Sequence, residues 1–189
     1  GRNVYVKGEV DGFFGVEDWQ KEYLTERLSR DFPALEPFYS ETILDADHLP
    51  AQTDFEIISI FVNSQITEAV LPHFPKLKFI ALQSTGFDNV DLAACALRGI
   101  TVSNVPAYGE DTVAEYTFAL ILVLTRKIFQ AYDQIKETGS FSFRDLRGFD
   151  LKDKTLGVVG TGRIGRQVIK IAKGFEMKVV AHDSFPDQK

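Results

Sequence analysis

Short apolar segments alternate along the chain with longer stretches of mixed polar and apolar residues. The short segments are apolar at nearly every position, which is typical of strands that are covered on both faces. They cover residues 57–62, 79–82, 157–159 and 178–181. The stretches between them predict helices at about 17–30, 66–71, 91–98, 112–137 and 162–174. Strands and helices that alternate in this way indicate βαβ units and an α/β fold with parallel sheets.

The predicted helix at 112–137 is the best marked of these elements. Thr112 and Glu115 have the spacing of a capping box at a helix start, and Gly139 is a stop signal. As far as Arg126 the helix is apolar on nearly every face, and such a helix is buried on several sides. We therefore expect it to run through the middle of the molecule or to lie at a subunit interface.

A change of pattern near residues 103–106 predicts a boundary between two domains. Residues 13–103 would form a first α/β unit, and residues 104–189 a second unit that starts with the apolar helix. The segment at 138–154 is polar but contains several large apolar side chains, which predicts a packed loop. These side chains are Phe141, Phe143, Leu146 and Phe149.

Residues 1–12 are treated as an additional segment that precedes the first domain. Residues 3–10 have strand character, and Asp11-Gly12 is a turn signal. The segment is either a non-native remnant or an extra strand. No function is assigned to it.

Composition narrows the class of protein through its charge and its cysteine content. The net charge of −6 argues against a large non-specific nucleic-acid interface, which needs a basic surface. The single cysteine, Cys95, excludes an internal disulfide framework and a cysteine-rich zinc site, so no metal is expected. The most apolar stretch, at 116–125, is much shorter than the ~20 residues that cross a bilayer. These observations predict a soluble, cytoplasmic protein with no membrane or nucleic-acid partner.

A glycine motif of the form G-x-G-x-x-G follows the apolar segment at 157–159 directly. The motif contains Gly160, Gly162 and Gly165, with Arg163 and Ile164 before the last glycine. A predicted helix and a second predicted strand come next. Asp183 follows that strand, 18 positions after the last glycine and close to the spacing of about 20 in dinucleotide-binding folds.

Each part of this unit suits a dinucleotide. Gly160 allows a tight turn, Gly162 lets a pyrophosphate approach the backbone, and Gly165 lets the helix pack closely on the strand. The helix N-terminus offers N–H groups and a partial positive charge to the phosphates. Asp183 would accept hydrogen bonds from the ribose and repel a 2′-phosphate, which favours NAD over NADP. The alternative is a glycine-rich turn in an α/β domain that binds no ligand.

Three stretches of the chain resemble the D-isomer-specific 2-hydroxyacid dehydrogenase family, and among its branches the D-lactate dehydrogenases most. They are residues 83–91 (QSTGFDNVD), residues 104–108 (NVPAY) with 112–115 (TVAE), and residues 151–157 (LKDKTLG) before the glycine motif. The resemblance extends from about Phe13 to the last residue. It implies a flavodoxin-like parallel-sheet substrate domain followed by an NAD-binding Rossmann domain, of which this chain contains an incomplete first part.

The same resemblance implies a substrate site. In the family, backbone N–H groups of the loop after the strand at 79–82 hold the substrate carboxylate, which places Thr85 and Gly86 at that site. Backbone donors at the carboxyl end of a strand can bind an anion without a side-chain charge. Tyr108 matches a family tyrosine near the cleft, where its hydroxyl would contact substrate or its ring would pack between domains. The loop at 63–65 faces the same edge, and ordinary loop polarity is the simpler explanation for it.

The family's catalytic arginine, glutamate and histidine all lie well downstream of the ribose-binding acid. Only six residues follow Asp183, so no catalytic residue of that set is expected in this chain. His48 and His73 lie in turn-like sequences beside prolines, and His182 would lie at the adenosine end of the cofactor. The expectation is an N-terminal fragment of an NAD-dependent oxidoreductase that interconverts a pyruvate-like 2-keto acid and a D-2-hydroxy acid. By itself the fragment would be inactive.

Two other functions stay open. The chain could be a non-catalytic NAD(H)-binding or sensing module that recruits a protein partner, or an α/β domain without a ligand. Dimers are usual for this fold. A strand at 156–159 with a neighbour only at 178–181 would also leave an unpaired edge that tends to find another chain. A homodimer is therefore expected.

Overall fold

The computed structural model describes residues 11–186, which divide into two compact units. The first unit ends at Tyr108 and the second begins at Gly109. Each unit contains a parallel sheet, which confirms the predicted α/β class. Within residues 11–186, no helix combines the length and the apolar character that crossing a bilayer requires.

The first unit is a five-stranded parallel sheet with helical connections. Its strands are β1 (Asp11–Phe14), β2 (Phe38–Ser40), β3 (Ile57–Ile60), β4 (Phe79–Leu82) and β5 (Thr101–Ser103). The connections are α1 (Asp18–Asp31), a 3₁₀ turn (Leu71–His73) and α2 (Leu92–Leu97). The strand order β2-β1-β3-β4-β5 is that of flavodoxin-like folds, in which ligands bind beyond the carboxyl ends of the strands. The predicted helices at 17–30 and 91–98 and the predicted strands at 57–62 and 79–82 are confirmed, with β3 ending two residues early.

The core of this unit lies on both faces of the sheet. Three consecutive positions of β3, from Ile58 to Ile60, are buried, as a strand covered on both sides requires. Phe14 and Phe55 meet edge to face with their ring centroids 5.6 Å apart, and Phe55 also packs on Phe74 at 6.3 Å. All three rings are almost completely buried, and burial of this kind is the main favourable term in folding.

The turn predicted at Asp11-Gly12 is wrong, because both residues belong to β1. β1 lies between β2 and β3, so this Asp-Gly pair is inside the sheet. A larger residue would crowd the core there, because a Cβ atom on Gly12 would lie 2.8 Å from the ring of Phe14 and 3.1 Å from the ring of Phe55. The strand predicted at residues 3–10 lies outside the described residues.

The helix predicted at 66–71 is also wrong. Ile66 is fully buried and is paired like a strand residue. Its N–H donates to the carbonyl oxygen of Asn89 at 2.8 Å, and its own carbonyl accepts the N–H of Asp91 at 2.8 Å. Because both backbone groups of Ile66 are bound outside the segment, only the 3₁₀ turn at Leu71–His73 forms.

The second unit consists of two helices followed by a βαβ unit. Its elements are α3 (Glu110–Thr125), α4 (Ile128–Thr138), β6 (Thr155–Val159), α5 (Arg163–Gly174) and β7 (Lys178–His182). β6 and β7 pair in parallel and form a two-stranded sheet among the described residues. The predicted βαβ unit is thereby confirmed. Its core joins α3 to α5 and β6 through Ala114, Phe118, Leu151, Val158, Val168 and Ala172.

The single helix predicted at 112–137 is two helices. α3 ends at Thr125, and α4 begins after Lys127, whose φ of 57° is in the left-handed region. The predicted capping box is wrong as well, since α3 starts at Glu110 with Gly109 as N-cap and Thr112 lies inside the first turn. Gly139 does end the second helix: its φ is 68°, and its N–H donates to the carbonyl of Ile135.

Among the described residues this helical segment does not run through the middle of its unit, and the subunit interface given as the alternative stays a prediction. α3 buries one side, where Ala114 and Phe118 face α5, and it leaves large apolar residues exposed on the other. The exposed set continues into α4 and includes Tyr116, Leu120, Leu124, Phe129 and Tyr132; we call it the α3/α4 surface. The loop aromatics Phe141 and Phe143 contact each other but are exposed, while the N–H of Phe149 donates to the carbonyl of Thr125, so the loop packs only in part.

Candidate functional site

The glycine motif forms the turn from β6 into α5. Gly160 directly follows the strand with a φ of 93°, a conformation that other residues rarely adopt. A Cβ atom on Gly165 would lie 2.0 Å from the carbonyl oxygen of Gly160, so no side chain fits there. A Cβ atom on Gly162 would meet no atom within 4 Å. The outer side of the turn is therefore open beside Gly162, and its inner side is closed at Gly165.

The first turn of α5 presents backbone donors at this open side. Arg166 is the first residue whose N–H bonds back to the motif, donating to the carbonyl of Gly162 at 3.0 Å. Within the described chain, the N–H groups of Ile164 and Gly165 donate to no other residue. The guanidinium of Arg163 lies 3.8 Å from the carboxylate of Glu110 at the start of α3, and the Arg163 side chain is 62% exposed. Free N–H groups and a cation at a helix N-terminus can bind phosphate groups.

Asp183 lies against the glycine motif, although the two are far apart in sequence. The parallel register of β6 and β7 pairs Val159 with His182, and the N–H of Gly160 donates to the carbonyl of His182 at 2.8 Å. The carboxylate of the next residue, Asp183, then reaches Thr161. Its Oδ2 accepts the backbone N–H of Thr161 at 2.5 Å and the Thr161 hydroxyl at 2.8 Å.

The surroundings of Asp183 favour its ionised form. The backbone N–H of Phe185 donates to Oδ1 at 2.9 Å, and the backbone N–H and hydroxyl of Thr161 donate to Oδ2. These three hydrogen bonds lower the pKa of Asp183 from 3.8 to about 2. The group is therefore a full negative charge at neutral pH, beside the turn that leads into α5.

The loop that contains Thr85 and Gly86 follows β4 in the first unit and is held by its own hydrogen bonds. The buried hydroxyl of Ser84 donates to the carbonyl of Gly86 at 2.8 Å, and the hydroxyl of Thr85 donates to the carbonyl of Val105 at 2.8 Å. The amide of Asn104 donates to the carbonyl of Thr85 at 2.7 Å. In the part of the chain that the structure describes, the backbone N–H groups of Thr85 and Gly86 have no acceptor. The loop thus carries two ordered donors that are available to an anion.

Tyr108 and the loop at 63–65 have different environments. Tyr108 is 59% exposed at the end of the first unit, and its hydroxyl bonds to no other residue among those described. Ser64 is buried, and its hydroxyl accepts the N–H of Leu44 at 3.0 Å. The amide of Asn89 donates to the carbonyl of Ser64 at 2.9 Å. The polarity of that loop therefore has a structural purpose.

Sequence reasoning did not identify the residues that hold these loops in place. Asn104 and Thr161 are each bound to a candidate site residue, at 2.7 Å and 2.8 Å. Asn104 lies within a stretch that resembles the family, but nothing in its spacing indicates its partner. Thr161 occupies a position of the glycine motif that the pattern leaves unspecified, so the sequence contains no signal for it.

The sequence relatives agree with the resemblance described above. Residues 18–175 match the family described as D-isomer specific 2-hydroxyacid dehydrogenase, catalytic domain. The 2-hydroxyacid dehydrogenase homolog 1 of Schizosaccharomyces pombe is 41% identical over 180 residues, which cover 94% of this chain and 53% of the relative. D-Lactate dehydrogenase of Escherichia coli is 35% identical over 175 residues, which cover 92% of this chain and 52% of that enzyme. The chain thus spans about half the length of these curated relatives.

Solved structures show the same similarity. The apo-structure of the Escherichia coli D-lactate dehydrogenase matches with a TM-score of 0.82 and 33% identity over 95% of this chain and 57% of that one. The D-lactate dehydrogenase of Aquifex aeolicus, solved in complex with NAD and lactic acid, matches with a TM-score of 0.80 and 33% identity. That match covers 94% of this chain and 52% of the other. The flavodoxin-like sheet, the glycine turn and these matches agree, and the chain belongs to the D-isomer-specific 2-hydroxyacid dehydrogenase family.

Proposed function

We propose that this chain belongs to an NAD-dependent oxidoreductase that interconverts a 2-keto acid of the pyruvate type and a D-2-hydroxy acid. The observation that carries the proposal is the ionised carboxylate of Asp183 beside the glycine turn, bound through Thr161. A related enzyme that was crystallised with NAD and lactic acid supports the choice of cofactor and substrate class.

The described residues of the second unit suit an NAD molecule. The open side of Gly162 leaves room for the pyrophosphate, and the N–H groups of Ile164 and Gly165 would donate to it, with Arg163 adding positive charge. Gly160 and Gly165 keep the strand and the helix close enough for this approach. Asp183 would accept hydrogen bonds from the adenosine ribose. In this proposal, residues 104–189 supply the adenosine and pyrophosphate half of the cofactor site.

In the first unit, residues 13–103 would form the substrate domain. The N–H groups of Thr85 and Gly86 would donate to the substrate carboxylate, and the fixed loop would hold both donors in place before the substrate arrives. The exposed hydroxyl of Tyr108 would add a polar contact. These groups bind and orient a 2-keto acid but move no proton.

The proposal assigns no proton transfer to the residues of this chain. When bound, NAD supplies the hydride that is exchanged with the substrate carbon. The resemblance assigns the accompanying proton transfer to an arginine, glutamate and histidine that follow the ribose-binding acid, and only six residues follow Asp183 here. We propose that the 189-residue chain binds ligands without turnover and that the activity belongs to a longer protein.

The α3/α4 surface supports a homodimer as the assembly. Tyr116, Leu120 and Leu124 are 65%, 50% and 68% exposed on one helix, and exposed apolar clusters of this kind mark interaction sites. The alternative, an NAD(H)-sensing module, would use the same surface to recruit a different protein. A cytoplasmic location and the absence of nucleic-acid and membrane partners stay predictions.

The proposal is tested by titrating the 189-residue chain separately with ADP-ribose and with nicotinamide mononucleotide in a calorimeter. ADP-ribose should bind with a dissociation constant of about 0.1–1 mM, since it lacks the nicotinamide of the whole cofactor. Nicotinamide mononucleotide should not bind measurably. Tighter binding of the mononucleotide would contradict the assignment of the glycine turn to the adenosine side, and NADH oxidation with pyruvate would contradict the proposed inactivity.

A further inference from the structure

Thr161 lies between the first two glycines of the motif, and its side chain is directed at Asp183. Its hydroxyl and its backbone N–H donate to the same carboxylate oxygen, Oδ2, at 2.8 and 2.5 Å. The two residues are 22 positions apart and are brought together by the pairing of β6 with β7. Threonine is not required by the turn itself, because the backbone N–H would be present with any residue except proline.

These contacts limit what the Asp183 carboxylate can still accept. A carboxylate offers about four acceptor sites, two on each oxygen. The two donors of Thr161 occupy Oδ2, and the N–H of Phe185 occupies one site on Oδ1 at 2.9 Å. One acceptor site is left, on Oδ1. Since both oxygens are held, the carboxylate cannot rotate without losing a hydrogen bond, so the direction of that last site is fixed.

We propose that Thr161 is a positioning residue, whose hydroxyl holds Asp183 so that the remaining site on Oδ1 receives one hydroxyl of the adenosine ribose. The inference rests on the proposed NAD site and adds to it a residue that determines cofactor preference. A fixed acceptor binds a hydroxyl without paying the entropy of ordering its side chain. A fixed carboxylate also cannot turn away from a 2′-phosphate, which strengthens the preference for the unphosphorylated ribose.

The role of the Thr161 hydroxyl is tested by comparing the variants Thr161→Val and Thr161→Ser of the 189-residue chain. Valine keeps the shape and the backbone N–H but removes the hydroxyl. We expect Thr161→Val to weaken ADP-ribose binding by about 3- to 10-fold and to strengthen binding of 2′-phospho-ADP-ribose, because the released carboxylate can turn away from the 2′-phosphate. Thr161→Ser should bind both ligands like the wild type. Thr155→Val, at an exposed threonine on β6, is the matched control and should change neither affinity.

A double-mutant cycle with Asp183→Asn separates positioning from direct contact with the ligand. If Thr161 acts through Asp183, Thr161→Val will cost less than about 2-fold in the Asp183→Asn background. An equal loss in both backgrounds would overturn the inference, as would wild-type affinity in Thr161→Val alone. The pH profile is a second measurement: without the hydroxyl the pKa of Asp183 should rise, and the loss of ADP-ribose binding on acidification should begin at a higher pH.

The failure of this inference can be told apart from failure of the proposed function. Absence of ADP-ribose binding by the wild-type chain would contradict the NAD site and the inference together. Normal binding by the wild type, combined with equal affinities for the wild type and Thr161→Val, would leave the NAD site standing and overturn only the role of Thr161. Circular dichroism of each variant shows whether it is folded before the affinities are compared.

Discussion

A Cβ atom on Gly165 would lie 2.0 Å from the carbonyl oxygen of Gly160, so these two glycines determine how closely α5 approaches the end of β6. The obstacle is backbone, which cannot move aside as a flexible side chain can. The close approach places the first turn of α5 beside the open side of Gly162, where the candidate pyrophosphate site lies.

Gly165→Ala should therefore destabilise the chain. The added methyl group must push α5 away from the turn, and overpacking of this kind costs about 1–3 kcal/mol. Urea denaturation of both proteins measures the change in the free energy of unfolding. Gly174→Ala, at the other end of α5 where a Cβ atom meets nothing within 4 Å, is the control and should be neutral or stabilising. Equal effects of the two substitutions would contradict the close approach.

Gly162→Ala should weaken ligand binding while it leaves the stability of the chain almost unchanged. A Cβ atom there meets no protein atom within 4 Å, so the free energy of unfolding should change by less than about 1 kcal/mol. The methyl group would instead occupy the space that the pyrophosphate needs. ADP-ribose binding by calorimetry should be lost or weakened at least about tenfold, and unchanged binding would show that the ligand does not approach Gly162.

The parts of this site that the sequence predicts are those whose residues lie close together along the chain. The glycine turn, α5 and Asp183 lie in one continuous βαβ unit, and its spacing predicts them. The contact between Thr161 and Asp183 depends on strand register, which sequence spacing does not specify. The left-handed Lys127 ends the first helix although the stretch 110–138 contains no glycine or proline that would signal a break.

The short strands at the edges of the first sheet show a different limit. β2 and β5 have three residues each, too few for a periodic pattern to stand out. Asp11-Gly12 has the composition of a turn, but packing on Phe55 places it inside β1. In each case tertiary contacts override a local preference.

Asp183→Ser combined with Ser184→Arg should shift the preference towards the phosphorylated cofactor. The change removes a charge that repels a 2′-phosphate and adds one that attracts it at an exposed position. The measurement is the ratio of affinities for ADP-ribose and 2′-phospho-ADP-ribose, with Ser184→Arg alone as the control. If the ratio in the double variant equals that of the wild type, Asp183 does not face the ribose.

We expect the contribution of Asp11 to the stability of the folded chain to fall as the pH rises. Burial first, and then the negative charge of Glu56, raise the pKa of Asp11 from 3.8 to about 6. Between these values the folded chain binds more protons than the unfolded chain, so the contribution of this group to stability declines from about pH 4 to above pH 6. Asp11→Asn should therefore be more stable than the wild type at pH 7.5 and similar to it near pH 4.

Urea denaturation at both pH values tests the effect of Asp11. Glu68→Gln, at an exposed position of the same unit, is the control and should show no such difference. An Asp11→Asn variant that is no more stable than the wild type at pH 7.5 would show that Asp11 is not held in an unfavourable ionised state.

The α3/α4 surface predicts a dimer. Light scattering of the purified chain should give the mass of two 21.2 kDa chains. Leu124→Glu, at a position that is 68% exposed and outside the core, should give a monomer without loss of fold. Leu97→Glu changes an equally apolar and 91% exposed side chain on α2, and it should leave the dimer intact. A monodisperse wild-type monomer would contradict the homodimer.

The most direct test of the proposed cofactor site is an NMR titration of the ¹⁵N-labelled 189-residue chain with ADP-ribose. The largest amide shifts should occur at Thr161, Gly162, Ile164 and Gly165, and the amides of Thr85 and Gly86 should not respond. Saturating shifts confined to the first unit, or no shifts in the glycine turn at concentrations of several millimolar, would contradict the proposed site.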